Sequence, residues 1–359
     1  MKFIPGLQLS RMYYEQVVKK ILYDFFPNLQ YSAGLIDYGS DVLGYDTIIS
    51  TDHEWGPRLS IFLKPEEIDQ YSNSINEVLS KNLPYDFLGY PTNFSGKPSE
   101  GIQRLEKIEE GKVNHKIRIL TAEDFFKGHL ELDMHKEIET KVWLLFPQQK
   151  LKTIRSGGIF HDDLKMEEIR SKLHFYPNDV WLYLMACEWS LIAQEEAFVG
   201  RCGDVGDEIG SRIITTRIIE RIMNLCFLLE KEYAPYSKWF GTAFKKLKSA
   251  EYFLPIMEKV LDAKKWKERE KYLSEAYELL AKTHNDLGIT EPISTKVIDY
   301  YGRPYLVIFA GRFAEALFEK VTDPILKESG LLGSIDQVTK VSAILEHNAI
   351  IKKMNVLYG

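Results

Sequence analysis

Apolar positions from Leu9 to Phe26 recur at helical spacing. Met12, Tyr13, Val17, Val18, Ile21, Leu22, Phe25 and Phe26 form the stripe, Ser10 is placed to cap it and Pro27 to stop it. The period then changes. Tyr31 to Tyr38 reads as a short strand running into Gly39-Ser40, and after a turn through Gly44 a second apolar patch covers Ile48 and Ile49. Past Gly56-Pro57 the run Leu59-Ser60-Ile61-Phe62-Leu63 alternates, so this stretch is predicted as a strand or a broken strand pair. Pro65 to Leu83 returns to a helix, with Ile68, Tyr71, Ile75, Val78 and Leu79 on one face. Val113 to Leu120 predicts another strand, and Lys141 to Phe146 a strand or a short helix.

From about Pro147 strands are hard to find and amphipathic helices dominate. They are predicted over Asp179 to Val199, Ser211 to Glu230, Lys238 to Leu247, Glu251 to Asp262, Lys267 to Leu287, Pro304 to Leu317 and Ile335 to Val356. No internal repeat or low-complexity segment interrupts them.

Composition narrows the class. At 45% hydrophobic and 27% charged, the chain is neither disordered nor collagen-like. Its 46 basic and 52 acidic side chains leave a net charge of −6, which argues against coating a long nucleic acid. One phosphorylated ligand in a local basic pocket is compatible with that sum. Cys187, Cys202 and Cys226 make no CxxC pair and no even framework, so neither a zinc site nor a disulfide scaffold is indicated. The start, Met1-Lys2-Phe3-Ile4-Pro5, lacks a signal-peptide run, and no stretch approaches the roughly 18 apolar residues of a membrane span. A reduced, cytoplasmic protein without a membrane partner is the expectation. The run Lys264 to Lys271 reads as a solvated helix face.

The chemistry concentrates in Gly39-Ser40-Asp41-Val42-Leu43-Gly44-Tyr45-Asp46 and Ser50-Thr51-Asp52-His53-Glu54-Trp55. Residues two apart on a strand share a face, so Asp52 and Glu54 are expected to project side by side. Their repulsion asks for a cation, and hard oxygen ligands at this spacing suit Mg²⁺ together with substrate phosphates. Gly39 and Ser40, on a tight turn, can offer backbone N–H groups and a hydroxyl to a phosphate. Either feature alone is ordinary: a glycine–serine turn is usually a loop, and spaced acids on a strand edge are usually solvated.

Together they resemble the signature of the polymerase-beta-type nucleotidyltransferase superfamily, a Gly-Ser turn, a glycine, then Ser-x-Asp-x-Asp, matched here by Gly39, Ser40, Gly44, Ser50, Asp52 and Glu54. Residues 39–58 are similar to an uncharacterised bacterial family of predicted nucleotidyltransferases with an Asp-His-Asp-Trp-Gly-Pro run. That resemblance continues through Phe87 to Pro91, Phe160 to Asp162, Tyr176 to Trp181 and Tyr233 to Trp239, and takes in roughly the first two-thirds of the chain. It implies an α+β fold, with a small mixed-sheet nucleotidyltransferase domain over 1–146 and a helical domain over 147–359 closing the cleft. It implies Asp52 and Glu54 as catalytic Mg²⁺ ligands, with Gly39 and Ser40 on the phosphates of a nucleoside triphosphate, ATP first among them. A nucleoside monophosphate would pass to a hydroxyl of a small molecule or protein. Position 54 departs from the pattern, being Glu rather than Asp.

A third acid is expected on a later strand, but Lys116 to Leu120 offers Arg118 there, while Asp86 and Asp124 read as turn or capping residues. That gap keeps open a catalytically weak nucleotide-binding regulator. Arg58 is either a phosphate neutraliser or one half of an ion pair. Lys238, between Tyr236 and Trp239, either snorkels along rings or, by analogy with two-domain nucleotidyltransferases, reaches a triphosphate. His53 is expected to face away from the two acids, and Phe160-His161-Asp162-Asp163 to form a structural turn.

Overall fold

Local alternation and distant pairing together build the sheet. The computed structural model describes residues 3–96 and 102–358, and for Asp52 the backbone only. In chain order the strands of the first unit are β1 (Ser32–Leu35), β2 (Arg58–Leu63), a small hairpin of β3 (Asp86–Phe87) and β4 (Tyr90–Pro91), β5 (Lys116–Thr121) and β6 (Gly158–Asp162). Four of them form one sheet in the order β5-β2-β1-β6. β1 runs antiparallel to both β2 and β6, whereas β2 and β5 are parallel, so the sheet is mixed and the fold is α+β.

The first helix is longer than its periodicity suggests. α1 (Gly6–Tyr13) passes through a wider π turn over Tyr14–Val18 into α2 (Lys19–Phe25). Next come α3 (Ser40–Leu43), the amphipathic α4 (Pro65–Asn82) and α5 (Ala122–Leu130), followed by α6 (Thr140–Leu145), α7 (Gln148–Arg155) and α8 (Met166–Ser171). Leu9, Tyr13, Val18 and Leu22, with Ile75 and Leu79 of α4, form one core with Ala33, Leu59, Ile61 and Leu63. Phe62, on the opposite face of β2, meets the Phe125 ring of α5 edge-on at 5.7 Å. Both faces are therefore covered, and each such side chain contributes roughly 1.5–3 kcal/mol by leaving water.

Two compact units result: Met1–Glu137 with Lys150–His174, and Ile138–Gln149 with Phe175–Gly359. The sheet-bearing unit thus takes in residues beyond Pro147, because β6 supplies its fourth strand. Gly157 fits there because a Cβ would lie 1.9 Å from the Leu35 carbonyl oxygen. Phe160-His161-Asp162 is accordingly an edge strand and not the turn expected, and Asp162 accepts from the Met166 and Glu167 N–H groups at 2.6 and 3.0 Å.

The second unit is mainly helical. α9 (Asn178–Glu195) lies against α11 (Glu208–Leu229), which follows α10 (Phe198–Asp204). α12 (Ser237–Phe244), α13 (Ala250–Asp262) and α14 (Trp266–Asp286) match their predicted stripes closely. The stretch expected as a helix from Pro304 opens instead as a strand. β7 (Ile298–Tyr300) and β8 (Arg303–Val307) form a hairpin before α15 (Gly311–Lys320), whose Phe313 stacks on Trp189 of α9 at 4.4 Å. The end of the chain is broken into α16 (Pro324–Glu328), α17 (Ile335–Val338), α18 (Ser342–Glu346) and α19 (Asn348–Lys353), not one continuous helix. Among the described residues no helix is long and apolar enough to cross a membrane.

Candidate functional site

Sheet topology brings the motif together. Antiparallel pairing sets the end of β1 beside the start of β2, and parallel β5 starts at the same edge, with Arg58 opposite Lys116 and Ser60 opposite Arg118. The Gly39–Ser40 turn, the entry to β2 and the first residues of β5 therefore share one sheet edge.

At that edge Gly39 precedes α3 at φ 142°, and Gly44 ends the helix in the left-handed region at φ 70°. A Cβ on Gly39 would lie 2.2 Å from Asp41 Oδ1 and 2.6 Å from Arg58 Nη2. Glycine is thus required by the ion pair packed against it. Arg58 donates from Nη2 to Asp41 Oδ1 at 2.8 Å and from Nε to Asp41 Oδ2 at 3.2 Å. Its Nη2 also reaches the Tyr38 carbonyl at 2.8 Å. Of the two readings offered for Arg58, the geometry takes the ion pair, and Asp41 is only 2% exposed.

The acidic segment departs from expectation. Residues 48–52 form a 3₁₀ turn rather than a strand, so Asp52 and Glu54 are not related by strand periodicity. A Thr47–Ser50 capping box starts the turn, and Thr51 donates to the Ile48 carbonyl at 2.8 Å. These hydroxyls satisfy the backbone locally in competition with a ladder. Ile48 and Ile49 stay exposed, so no core pulls the segment flat.

The Asp52 side chain lies outside the described residues. Glu54 adopts a left-handed φ of 52°. Its N–H donates to the Gln103 carbonyl at 2.9 Å, and its carboxylate accepts from the Gln103 N–H at 3.2 Å while pairing with the Lys116 ammonium. Burial lowers the Lys116 pKa below the usual lysine range. His53 is exposed on the bend, and Trp55 is buried with its indole N–H on Asp46 Oδ2 at 2.9 Å.

Several groups here carried no role in the sequence reading. Asp46 also accepts from the Gly6 N–H at 2.7 Å, tying α1 to the motif. Asp37 pairs with Arg118, the residue of β5 standing where an acid was sought. His129 of α5 donates from Nδ1 to the Phe125 carbonyl at 3.0 Å and stacks on Tyr38 at 4.7 Å. Burial lowers this imidazole to about 4, so it is neutral, and its Nε2, 3.3 Å from Asp37 Oδ1, makes no hydrogen bond. The one available signal was that Asp37, Asp41 and Asp46 flank the glycine–serine turn. Asp86 and Asp124 hold the local roles expected, accepting from the Gly89 N–H at 2.8 Å and the Thr121 hydroxyl at 2.8 Å.

Among the described residues no three His, Cys, Asp or Glu side chains converge as a metal cluster. The donor chemistry nonetheless suits Mg²⁺, which takes one or two carboxylates alongside phosphate oxygens. Glu54 is an exposed oxygen donor two residues from Asp52, and its salt-bridge partner is a single lysine. Lys238 belongs to the helical unit, exposed on α12 with its ammonium 4.9 Å from the Trp239 ring centre.

A family described as a domain of unknown function (DUF4037) matches residues 143–240. Residues 39–58 fall outside that match; the Phe160, Tyr176 and Tyr233 segments fall within it. Among solved structures, the chain is similar to a nucleotidyltransferase-like protein from Exiguobacterium sibiricum 255-15, at 11% identity over 79% of this chain and 77% of that one, with a TM-score of 0.31. No curated protein matches the sequence.

Proposed function

We propose that the sheet-bearing unit is a nucleotidyltransferase site, moving a nucleoside monophosphate from a nucleoside triphosphate, ATP first, to a hydroxyl of a small molecule or protein. The observation that carries this reading is the single sheet edge on which the Gly39–Ser40 turn, the Asp52–Glu54 segment and two cations of β5 gather. In this reading Asp52 and Glu54 hold Mg²⁺, which when bound neutralises phosphate charge and orients the reacting phosphoryl group. Gly39 and Ser40 present N–H and hydroxyl donors to the outer phosphates. Lys116, paired with Glu54, would offer its charge to the triphosphate. Arg58 and Asp41 keep the turn in shape.

A second reading, a nucleotide-binding regulator, draws on Arg118 standing on β5 in place of an acid and on Lys116 tying up Glu54. Pyrophosphate release over a panel of acceptors with ATP and Mg²⁺ separates the two. Asp52→Asn should lower turnover on the order of 100-fold or more. Wild-type turnover by that variant would sink the assignment, and saturable nucleotide binding without pyrophosphate release would favour the regulator.

A further inference from the structure

The outer side of β6 is open. This strand ends its side of the sheet, so its outward N–H and C=O groups have no ladder partner among the described residues. Natural edges are often blunted by lysine or proline, and Gly158–Asp162 contains neither. A groove of about 460 Å³ runs beside the strand, lined by Gly157 and all of β6. Arg155 at the end of α7 and Glu167 and Arg170 of α8 complete its lining. No β1 residue lines it, which puts it on the unpaired side. Its volume falls within the roughly 300–1,000 Å³ of ligand clefts.

A second observation says what the groove lacks. Arg170, 3% exposed, donates to the Ile154, Arg155 and Ser156 carbonyls at 2.9, 3.0 and 2.8 Å and pairs with Glu167. Its charge is spent on holding the turn into β6. Asp162 is spent likewise, accepting from the Ser32 hydroxyl at 2.7 Å and from the Met166 and Glu167 N–H groups. Arg155 is not. Its Nη1 is enclosed yet makes no hydrogen bond, standing 3.5 Å from Glu167 Oε1. An unmet guanidinium donor and a row of unmet backbone groups therefore line one groove.

We infer that an extended peptide segment bearing a carboxylate side chain docks in this groove, adding a strand to the four-stranded sheet at β6 with its acid on Arg155. In strand addition the backbone bonds supply affinity and the side-chain contacts supply selectivity. A second copy of the chain fits less well, because its β6 arrives flanked by its own α7 and α8. A free carboxylate ion would leave the backbone groups of β6 unanswered. The inference does not depend on nucleotide transfer.

Fluorescence anisotropy on the full chain tests it with a labelled hexapeptide, N-acetyl-Thr-Val-Glu-Val-Thr-Val. Saturable binding at one per chain is expected, weakened about tenfold when the peptide's Glu becomes Gln. Arg155→Met should weaken the Glu peptide to the same extent and leave the Gln peptide almost unchanged. Two further peptides carry methyl groups on alternate backbone nitrogens, one on each edge. One of them should lose binding and the other keep it, because a single edge of the peptide faces β6. Bound peptide should also slow amide exchange along β6. Absence of saturable binding, equal behaviour of the two methylated peptides, or full affinity in an Arg155→Met variant that melts like the wild type would each overturn the inference. A concentration-dependent dimer that protects the β6 amides without peptide would make a second copy the occupant and overturn it as well.

Discussion

The two units partner their carboxylates in different ways. At the sheet edge the partners are side-chain cations: Arg58 for Asp41, Arg118 for Asp37 and Lys116 for Glu54. In the helical unit several answer to backbone N–H groups. Glu196 accepts from Ile308 and Ala310 at 2.8 and 3.0 Å, Glu270 from Leu306 at 3.1 Å, and Glu230 from Lys248 and Ser249 at 2.9 and 2.8 Å. The first arrangement fixes charge where a charged ligand would arrive. The second uses acids as clasps, Glu196 and Glu270 together holding β8 and the turn into α15. Burial outweighs those N–H bonds and pushes both carboxyls up to about 7.

The contrast breaks most readily at Arg58. Arg58→Met leaves Asp41 buried without its cation and should cost about 3–5 kcal/mol, read by urea denaturation. Adding Asp41→Leu should recover part of that loss; a double variant no better than the single would mean the ion pair is not what stabilises the turn.

A pH series sharpens the other side. With folded pKa values near 7 against 4.5 for the free side chain, the folded state binds more protons between them. Stability should therefore fall as pH rises from about 4.5 to about 7, by up to roughly 3 kcal/mol per group. Glu196→Gln and Glu270→Gln should flatten this window in thermal melts. A profile unchanged in the double variant would place the titration elsewhere.

Smaller effects follow at exposed positions. Glu54, half exposed, should lose less than about 1 kcal/mol as Glu54→Gln, because solvent screens its pair with Lys116. A larger loss would mean the pair is structural, and too costly to exchange for a metal. Lys238→Ala should cost no more than about 0.5–1 kcal/mol, the scale of an exposed cation–π contact.

Where local pattern and tertiary contact agree, the fold could be read in advance. α4 and α11 carry their periods because one face of each meets a core, whereas β2 and α9 read as apolar runs because they are buried nearly all round. β6 could not be read: its positions are half-exposed or exposed, and its pairing comes from β1, more than 120 residues earlier. β8 was hidden by Pro304, since a proline is tolerated where a strand needs no donor from that residue. At the candidate site the local geometry could not be read from spacing alone. Gly39 was singled out for room beside a phosphate, yet what fills that room is Asp41 and Arg58. The spacing of Asp52 and Glu54 suggested one strand face, and side-chain hydroxyls at 47, 50 and 51 turned the backbone instead.

The path of the chain between its two units has a consequence for how the protein is made. Residues 138–149 belong to the helical unit, and only afterwards does the chain return with β6 to close the free side of β1. Until residue 162 has left the ribosome, β1 presents an unpaired edge of the kind that recruits other strands. A fragment ending near Pro147 would leave β1 as that edge permanently and should associate with itself, and the smallest piece with β1 paired on both sides must run at least to Asp162.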